Sequence, residues 1–188
     1  MRTRLALCAA CLALACGAPS HVGSASVSGT IGGAAFTLAD ASGFNISGQC
    51  TSANSVGQEL LLVLADQPTR CNDFSEGEEM PDATLLTLGV DVGGAAAAPL
   101  GPGSYAVSAQ APLASAPAAF AWFQQTGPTG EPLAAALAAT GGSLTITGVD
   151  GGAISGTFLL AFGSDSISGS FTSASCAWSS STFPPWCD

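Results

Sequence analysis

The sequence contains no lysine and only one histidine, and charged residues make up 9% of its 188 positions. Its basic residues are Arg2, Arg4 and Arg70, against thirteen acidic residues. The first two arginines lie in a segment that we expect to be removed, which leaves one basic residue. A chain with this charge repels phosphate backbones and anionic surfaces. We therefore expect no nucleic-acid partner.

The scarcity of histidine and lysine also argues against the common hydrolases. A serine nucleophile needs a general base, usually histidine, and His21 precedes the predicted domain. A Ser–Lys dyad is impossible without lysine, and there is no G-x-S-x-G motif. A glycosidase needs two carboxylates in one cleft, whereas most acidic residues here fall in predicted turns or loops. We expect a protein that is not an enzyme and needs no cofactor, with a hydrolase using acidic residues alone as the lowest-ranked alternative.

The N-terminal segment has the pattern of an export signal. Two arginines precede the apolar run Leu5–Ala15, which is too short to span a bilayer as a helix and is typical of a signal-peptide core. The run ends in LALAC and resembles a bacterial lipobox, in which Cys16 is acylated after cleavage. We predict a signal peptide over residues 1–15, and a lipidated Cys16 with a tether over residues 16–24.

The lipobox resemblance also implies a location. By similarity to Gram-negative lipoproteins, Gly17 after the cysteine favours sorting to the outer membrane, on its periplasmic face or at the cell surface. The acyl chains on Cys16 would be the contact with the membrane. The alternative is a soluble secreted protein.

Four cysteines follow Cys16, and an even number in an exported domain predicts two disulfides with three possible pairings. We favour Cys71–Cys176, with Cys50–Cys187 holding the C-terminal tail. The alternative is Cys50–Cys71 with Cys176–Cys187. A zinc site is not expected, because no CxxC pair exists and no histidine is near.

The stretch Asp66–Asp82 is the most polar part of the chain and predicts a long exposed loop. It is a weak candidate for calcium, which prefers several oxygen ligands, although its spacing is not that of an EF-hand. A solvated acidic loop is the favoured interpretation. The candidate ligands are Asp73, Glu76, Glu78, Glu79 and Asp82.

A ligand site built from aromatic residues is a further possibility. Trp122 lies in an aromatic strand, Tyr105 is the only tyrosine, and Arg70 would be the only cation for an anionic ligand. Aromatic residues in strands more often belong to the core, and an ion pair with the acidic loop is the simpler role for Arg70.

Alternating and continuous apolar runs separated by turn residues predict an all-β domain. The predicted strands are Ala25–Ile31, Ala35–Ala39, Phe44–Ser47, Glu59–Ala65, Ala83–Val92, Ser104–Gln110, Ala119–Gln125 and three within Ser143–Phe171. Spacings near ten residues favour an antiparallel β-sandwich or small β-barrel over residues 25–178. We predict at most one short helix, Glu131–Ala139, and a disulfide-held tail over residues 179–188.

The stretch Ser143–Phe171 contains the motif I-S-G-x-F twice, at residues 154–158 and 167–171. In each copy the glycine is on the same face of the predicted strand as the large apolar residues. Glycine is unfavourable inside a strand. A bulge, a sharp bend or the close approach of another side chain would explain it. We interpret the repeat as paired bends in neighbouring strands of one curled sheet.

Three segments carry a resemblance to known proteins: VSGTIGGAAFTLADA near the start, PGSYAV in the middle, and GGSLTITGVDGGAISGTFLLAF…DSISGSFTSASC near the end. Together they resemble a family of uncharacterised bacterial lipoproteins with an N-terminal G-x-[VI]-x-G-x-x-F hairpin and a C-terminal I-S-G-x-F meander. The resemblance implies a secreted β-rich domain with no known activity, and no catalytic residues can be carried over from it. We expect a non-catalytic envelope lipoprotein with a β-rich structural or interaction domain, whose partner would be an unknown envelope protein or a glycan. The alternative is a small-ligand or glycan-binding β-barrel.

Overall fold

The computed structural model describes residues 23–47, 58–68, 80–91, 101–109, 117–150 and 152–176. Every regular element within them is a β-strand, and none of them forms a helix that could span a membrane. The strands are β1 (Ser24–Gly29), β2 (Asp40–Ser47), β3 (Gln58–Ala65), β4 (Thr84–Asp91), β5 (Gly103–Val107), β6 (Ala118–Gln125), β7 (Leu137–Ala138), β8 (Gly141–Asp150), β9 (Ala153–Phe162), β10 (Asp165–Thr172) and β11 (Ala174–Cys176).

These strands form one sheet in the order β1-β10-β9-β8-β5-β6-β4-β3-β2-β11, with β7 paired to β6. Only Ser173 separates β10 from β11, so one stretch of chain pairs first with β9 and β1 and then with β2. This continuity brings the two ends of the sheet together, and the sheet is nearly closed and barrel-shaped. The all-β prediction is confirmed. Purely antiparallel pairing is wrong, because β5–β6 and β2–β11 are parallel.

The inward side chains form one apolar core. Ile154, Phe158, Leu160 and Phe162 of β9 are each at most 5% exposed, which confirms their predicted common face. Burying a side chain of this size contributes about 1.5–3 kcal/mol, so the interior is a major source of stability. Strand β3 is buried on both faces, since every residue of 60–65 is at most 4% exposed. This confirms what its unbroken apolar run predicts.

The two-glycine turn after β1 is confirmed. Gly32 and Gly33 have φ values of 63° and 76°, which suit glycine. The backbones of Ile31 and Ala34 exchange two hydrogen bonds across the turn, at 3.0 and 3.2 Å. The hairpin extends no further than this bridge.

The predicted strand Ala35–Ala39 is wrong, because the next strand begins only at Asp40. Strand β1 pairs with β10, whereas β2 pairs with β3, so the connecting chain must leave β1 to reach β3. The inward face of this segment is nevertheless as expected. Leu38 is 7% exposed, and the Phe36 ring lies 5.1 Å from that of Phe123.

The predicted helix Glu131–Ala139 is also wrong. Residues 137–138 form β7 instead, and the main-chain N–H of Leu133 donates to the carbonyl of Gln125 at 2.9 Å. A helix this short needs an apolar face to pack. Leu133 and Leu137 are 64% and 47% exposed, so neither supplies one. Hydrogen bonding to β6 therefore overrides the helix propensity of the alanines.

The repeated I-S-G-x-F phrase sets each phenylalanine over the glycine of the other copy. Gly156 lies opposite Phe171, and Phe158 lies opposite Gly169. A methyl group at Gly156 would lie 2.4 Å from the carbonyl oxygen of Thr145 and 2.7 Å from Cζ of Phe171. One at Gly169 would lie 2.0 Å from the carbonyl oxygen of Ser26 and 2.4 Å from Cζ of Phe158. Both rings are 3% exposed. Close approach of a main-chain carbonyl oxygen and of a phenylalanine ring therefore explains each of the two glycines.

We expect Gly156→Ala and Gly169→Ala each to lower the free energy of unfolding by about 1–3 kcal/mol, because the added methyl overpacks the core. Urea unfolding of the disulfide-intact domain measures this. Gly148→Ala is the matched control, since nothing lies within 4 Å of the new methyl, and we expect a change within about 0.5 kcal/mol. Equal effects at all three positions would contradict the packing described.

Candidate functional site

The structure does not assemble the predicted aromatic site. Trp122 lies on the outer face of β6 against Phe120, with ring centroids 4.6 Å apart and ring planes tilted by 38°. Tyr105 packs instead against the interior core, and its hydroxyl donates to the carbonyl of Gly101 at 2.8 Å. Since Trp122 and Tyr105 lie on opposite faces of the sheet, they do not line one pocket. Arg70 lies outside the described residues.

A second apolar cluster lies on the outside of the sheet, and we call it the outer cluster. Its buried members come from β3, β6 and β11, and two half-buried residues of β4 and β6 pack against them. These residues are Leu61, Val63, Phe120 and Cys176, with Leu85 and Trp122. The two-sided burial predicted for β3 already implies apolar contacts on the outer face of the sheet.

Phe120 is the large side chain of this cluster that sequence reasoning missed. It lies directly opposite Gly89 of β4, and a methyl at Gly89 would lie 1.9 Å from its Cζ. This is a third phenylalanine over a cross-strand glycine. Glycine inside the predicted strand Ala83–Val92 was the available signal, but its partner depends on a strand register that the sequence does not state.

Cys176 is the one predicted disulfide cysteine among the described residues. It is 6% exposed in the outer cluster and is disulfide-bonded. Cys50, Cys71 and Cys187 lie outside the described residues, so no complete pair is described and the pairing stays a prediction. Strand β11 lies beside β2, and Cys50 and Cys71 follow β2 and β3 in sequence. These positions do not decide which cysteine is bonded to Cys176.

The two ends of the predicted acidic loop are held against each other. The carboxylate of Asp66 accepts a hydrogen bond from the main-chain N–H of Thr84 at 3.0 Å. The side-chain amide of Gln67 donates to the carbonyl of Pro81 at 3.0 Å. The chain therefore returns to β4 beside the point at which it leaves β3.

Asp82 is the only calcium candidate that the structure describes, and it is exposed. It has a φ of 50°, and its N–H donates to the carbonyl of Gly127 at 2.8 Å. The other candidates, Asp73, Glu76, Glu78 and Glu79, lie outside the described residues. Within the described ranges, no three His, Cys, Asp or Glu side chains are grouped so that they could hold a metal ion.

Thr126 fastens the end of the acidic loop to β6, and sequence reasoning missed it. Its side-chain hydroxyl accepts from the N–H of Ala83 at 2.9 Å and donates to the carbonyl of Met80. The residue is 7% exposed, so these bonds are shielded from water. Its partners lie 43 and 46 residues earlier in the chain, which is why no local pattern singles it out.

Glu131 supports a turn beside this fastening. Hydrogen bonds hold the pKa of the Glu131 carboxyl below its usual value. The largest effect comes from the side-chain hydroxyl of Thr129, and the main-chain N–H groups of Glu131 and Thr129 add to it. The Thr129 hydroxyl, the strongest cause, donates directly to that carboxylate. The group is exposed and is kept ionised by its own turn. This arrangement stabilises a loop and does not resemble a general acid.

We expect Thr126→Val to lower the free energy of unfolding by about 1–3 kcal/mol, because it leaves the buried N–H of Ala83 without its acceptor. Thr126→Ser is the matched control, since it keeps the hydroxyl. Urea unfolding of both variants measures the difference. If valine is tolerated as well as serine, the hydroxyl does not fasten the loop.

Comparison with known proteins assigns no family to the chain. No protein-family model, no curated protein and no solved structure matches it. Its function must therefore be inferred from its own residues.

Proposed function

We propose that the protein is a non-catalytic lipoprotein of the cell envelope. In this proposal Cys16 carries the lipid anchor in the outer membrane, and the barrel-shaped β-domain has a structural or interaction role. The LALAC pattern and the apolar run before it support the anchor.

The observation that carries the non-catalytic role is the filling of the sheet's interior. The buried members of the core cluster are all Leu, Ile, Val, Phe or Ala. Among the described residues, Asp40 is the only buried carboxylate, and it accepts a hydrogen bond from the main-chain N–H of Ala41. A binding or catalytic site inside a barrel would need polar groups placed among the apolar ones.

The described carboxylates support the same proposal, because several of them accept hydrogen bonds from main-chain N–H groups. Asp40 accepts from the N–H of Ala41 at 2.8 Å, and Asp165 accepts from that of Gly33 at 3.3 Å. Asp66 and Glu131 bind main-chain groups in the same way. A general acid or base must instead reach the reacting group of a substrate. These bonds are those of structural aspartates and glutamates.

A glycan-binding or small-ligand-binding role is the second candidate. One observation favours it: the adjacent rings of Phe120 and Trp122 lie on the outside of the sheet, and Trp122 is only half-buried. Aromatic faces on a surface suit sugar rings or apolar ligands. Phe120 itself is 3% exposed, so this role ranks below the first.

Substitution of Cys16 tests the anchor. We expect Cys16→Ala to abolish incorporation of labelled palmitate in a bacterial host and to release the protein from the membrane fraction. Cys11→Ala is the matched control, because it leaves the LALAC pattern intact, and we expect it to retain the label. Continued labelling of Cys16→Ala would refute the proposed site.

A further inference from the structure

The barrel-shaped sheet has an open seam between β1 and residues 35–39. At one end of the seam, Ile31 and Ala34 are joined by two main-chain hydrogen bonds. At the other end, a methyl group at Gly23 would collide with the carbonyl oxygen of Ala41, so these two main chains touch. Between the two ends, no main-chain hydrogen bond in the described structure joins β1 to this segment.

The two sides of the seam lie close together along their whole length. From Gly23 to Ile31 the chain takes eight residue steps, which cover about 26 Å in a strand. From Ala34 to Ala41 it takes seven steps, which cover at most about 25 Å when fully extended. Because both stretches join the same two ends, residues 35–39 are held nearly straight beside β1.

Main-chain groups on both sides point into the seam, because the direction of these groups alternates along an extended chain. A methyl group at Gly169 would collide with the carbonyl oxygen of Ser26, so Ser26 faces β10 and Val27 faces the seam. On the other side, the N–H of Ala39 donates to a carbonyl of β3 at 2.7 Å, so Ala39 faces β3 and Leu38 faces the seam. Hydrogen-bond donors and acceptors therefore face each other across it.

We propose that the seam closes in a second state, in which residues 35–39 pair with β1 and complete the barrel. The hydrogen-bonded pair at the turn sets the register, because such pairs recur at every second residue of an antiparallel ladder. The next two pairs are therefore Gly29 with Phe36 and Val27 with Leu38. These are the positions whose main-chain groups point into the seam.

Closure in this register keeps the apolar side chains on the inner face. Val27, Phe36 and Leu38 are already part of the interior core or pack against it. Phe36 comes to lie over Gly29, which repeats the packing of a phenylalanine on a cross-strand glycine seen in β9–β10 and β4–β6. Gly29 has a φ of 115° in the open seam, and glycine also takes the extended conformation of a strand. Gly29 is therefore the pivot between the two states.

The seam determines whether the sheet has a free edge. The N–H and C=O groups of an edge strand can pair with another chain, whereas a closed barrel has no edge. Strand β1 reads SASVSG and has none of the charged or proline residues that protect natural edges. The state of the seam therefore controls whether β1 can pair with a strand of another chain. The inference rests on the domain alone and is independent of the lipid anchor.

A disulfide across the seam tests closure. Ser28 and Thr37 are exposed, and in the closed register they are directly opposite, with α-carbons about 4.5 Å apart, which a disulfide can bridge. We expect the full-length Ser28→Cys, Thr37→Cys variant to form this bond with oxidised glutathione, as located by non-reduced peptide mapping. Ser26→Cys, Thr37→Cys is the matched control, because its residues are diagonal neighbours about 7–8 Å apart. We expect it to form at least about tenfold less of the bond.

Amide hydrogen exchange then measures the ladder itself. With the disulfide formed, we expect the amides of Phe36 and Leu38 to exchange at least about tenfold more slowly than in the single variant Thr37→Cys. The amide of Ala35, which faces away from the seam, should change little. Equal bonding of the two cysteine pairs, or unprotected amides in the bonded chain, would overturn the proposal. If the double variant does not fold, a nuclear Overhauser contact between the α-protons of Ser28 and Thr37 in the unmodified chain decides: its presence supports closure, and its absence refutes it.

Discussion

Phenylalanine rings packed over cross-strand glycines set the register on which the rest of the structure depends. Gly156 and Gly169 each lie beneath a ring from the neighbouring strand. A slip of one residue would turn the apolar face of β10 outward. A slip of two would set Phe171 against Ile154 or Phe158, which overpacks the core. Because of the glycines, the observed pairing of β9 with β10 keeps the apolar face of β10 inward and also leaves room for the phenylalanine rings.

The register between β9 and β10 also determines how the sheet closes. Strand β10 continues through Ser173 into β11, which pairs with β2. Ser173 is 2% exposed, its N–H donates to the carbonyl of Ile154 at 2.8 Å, and its hydroxyl accepts from the N–H of Ile154 at 3.1 Å. The position of β11, and of Cys176 at its end, thus follows from the pairing of β9 with β10. The same packing rule appears on the outer face of the sheet, where Phe120 covers Gly89.

Much of the fold could be predicted because its strands carry their own patterns. The unbroken apolar run of β3 and the two-glycine turn needed no tertiary information. The errors at Ala35–Ala39 and Glu131–Ala139 share one cause: local propensity does not tell which strand edge a segment will meet. Less of the site was predictable. Trp122 and Tyr105 lie on opposite faces, and Thr126 bonds to groups more than 40 residues away, which only the assembled sheet reveals.

The functional account follows from this packing: the interior is occupied by side chains that hold the sheet together, and the outside is where an interaction would occur. Nuclear Overhauser spectroscopy of the domain tests the packing most directly. We predict contacts between the α-protons of Gly156 and the ring of Phe171, and between those of Gly169 and the ring of Phe158. Each glycine should also have one α-proton shifted upfield by the ring above it. Ring contacts from Phe171 to Ile154 or Phe158 as direct partners, with unshifted glycine protons, would contradict the account.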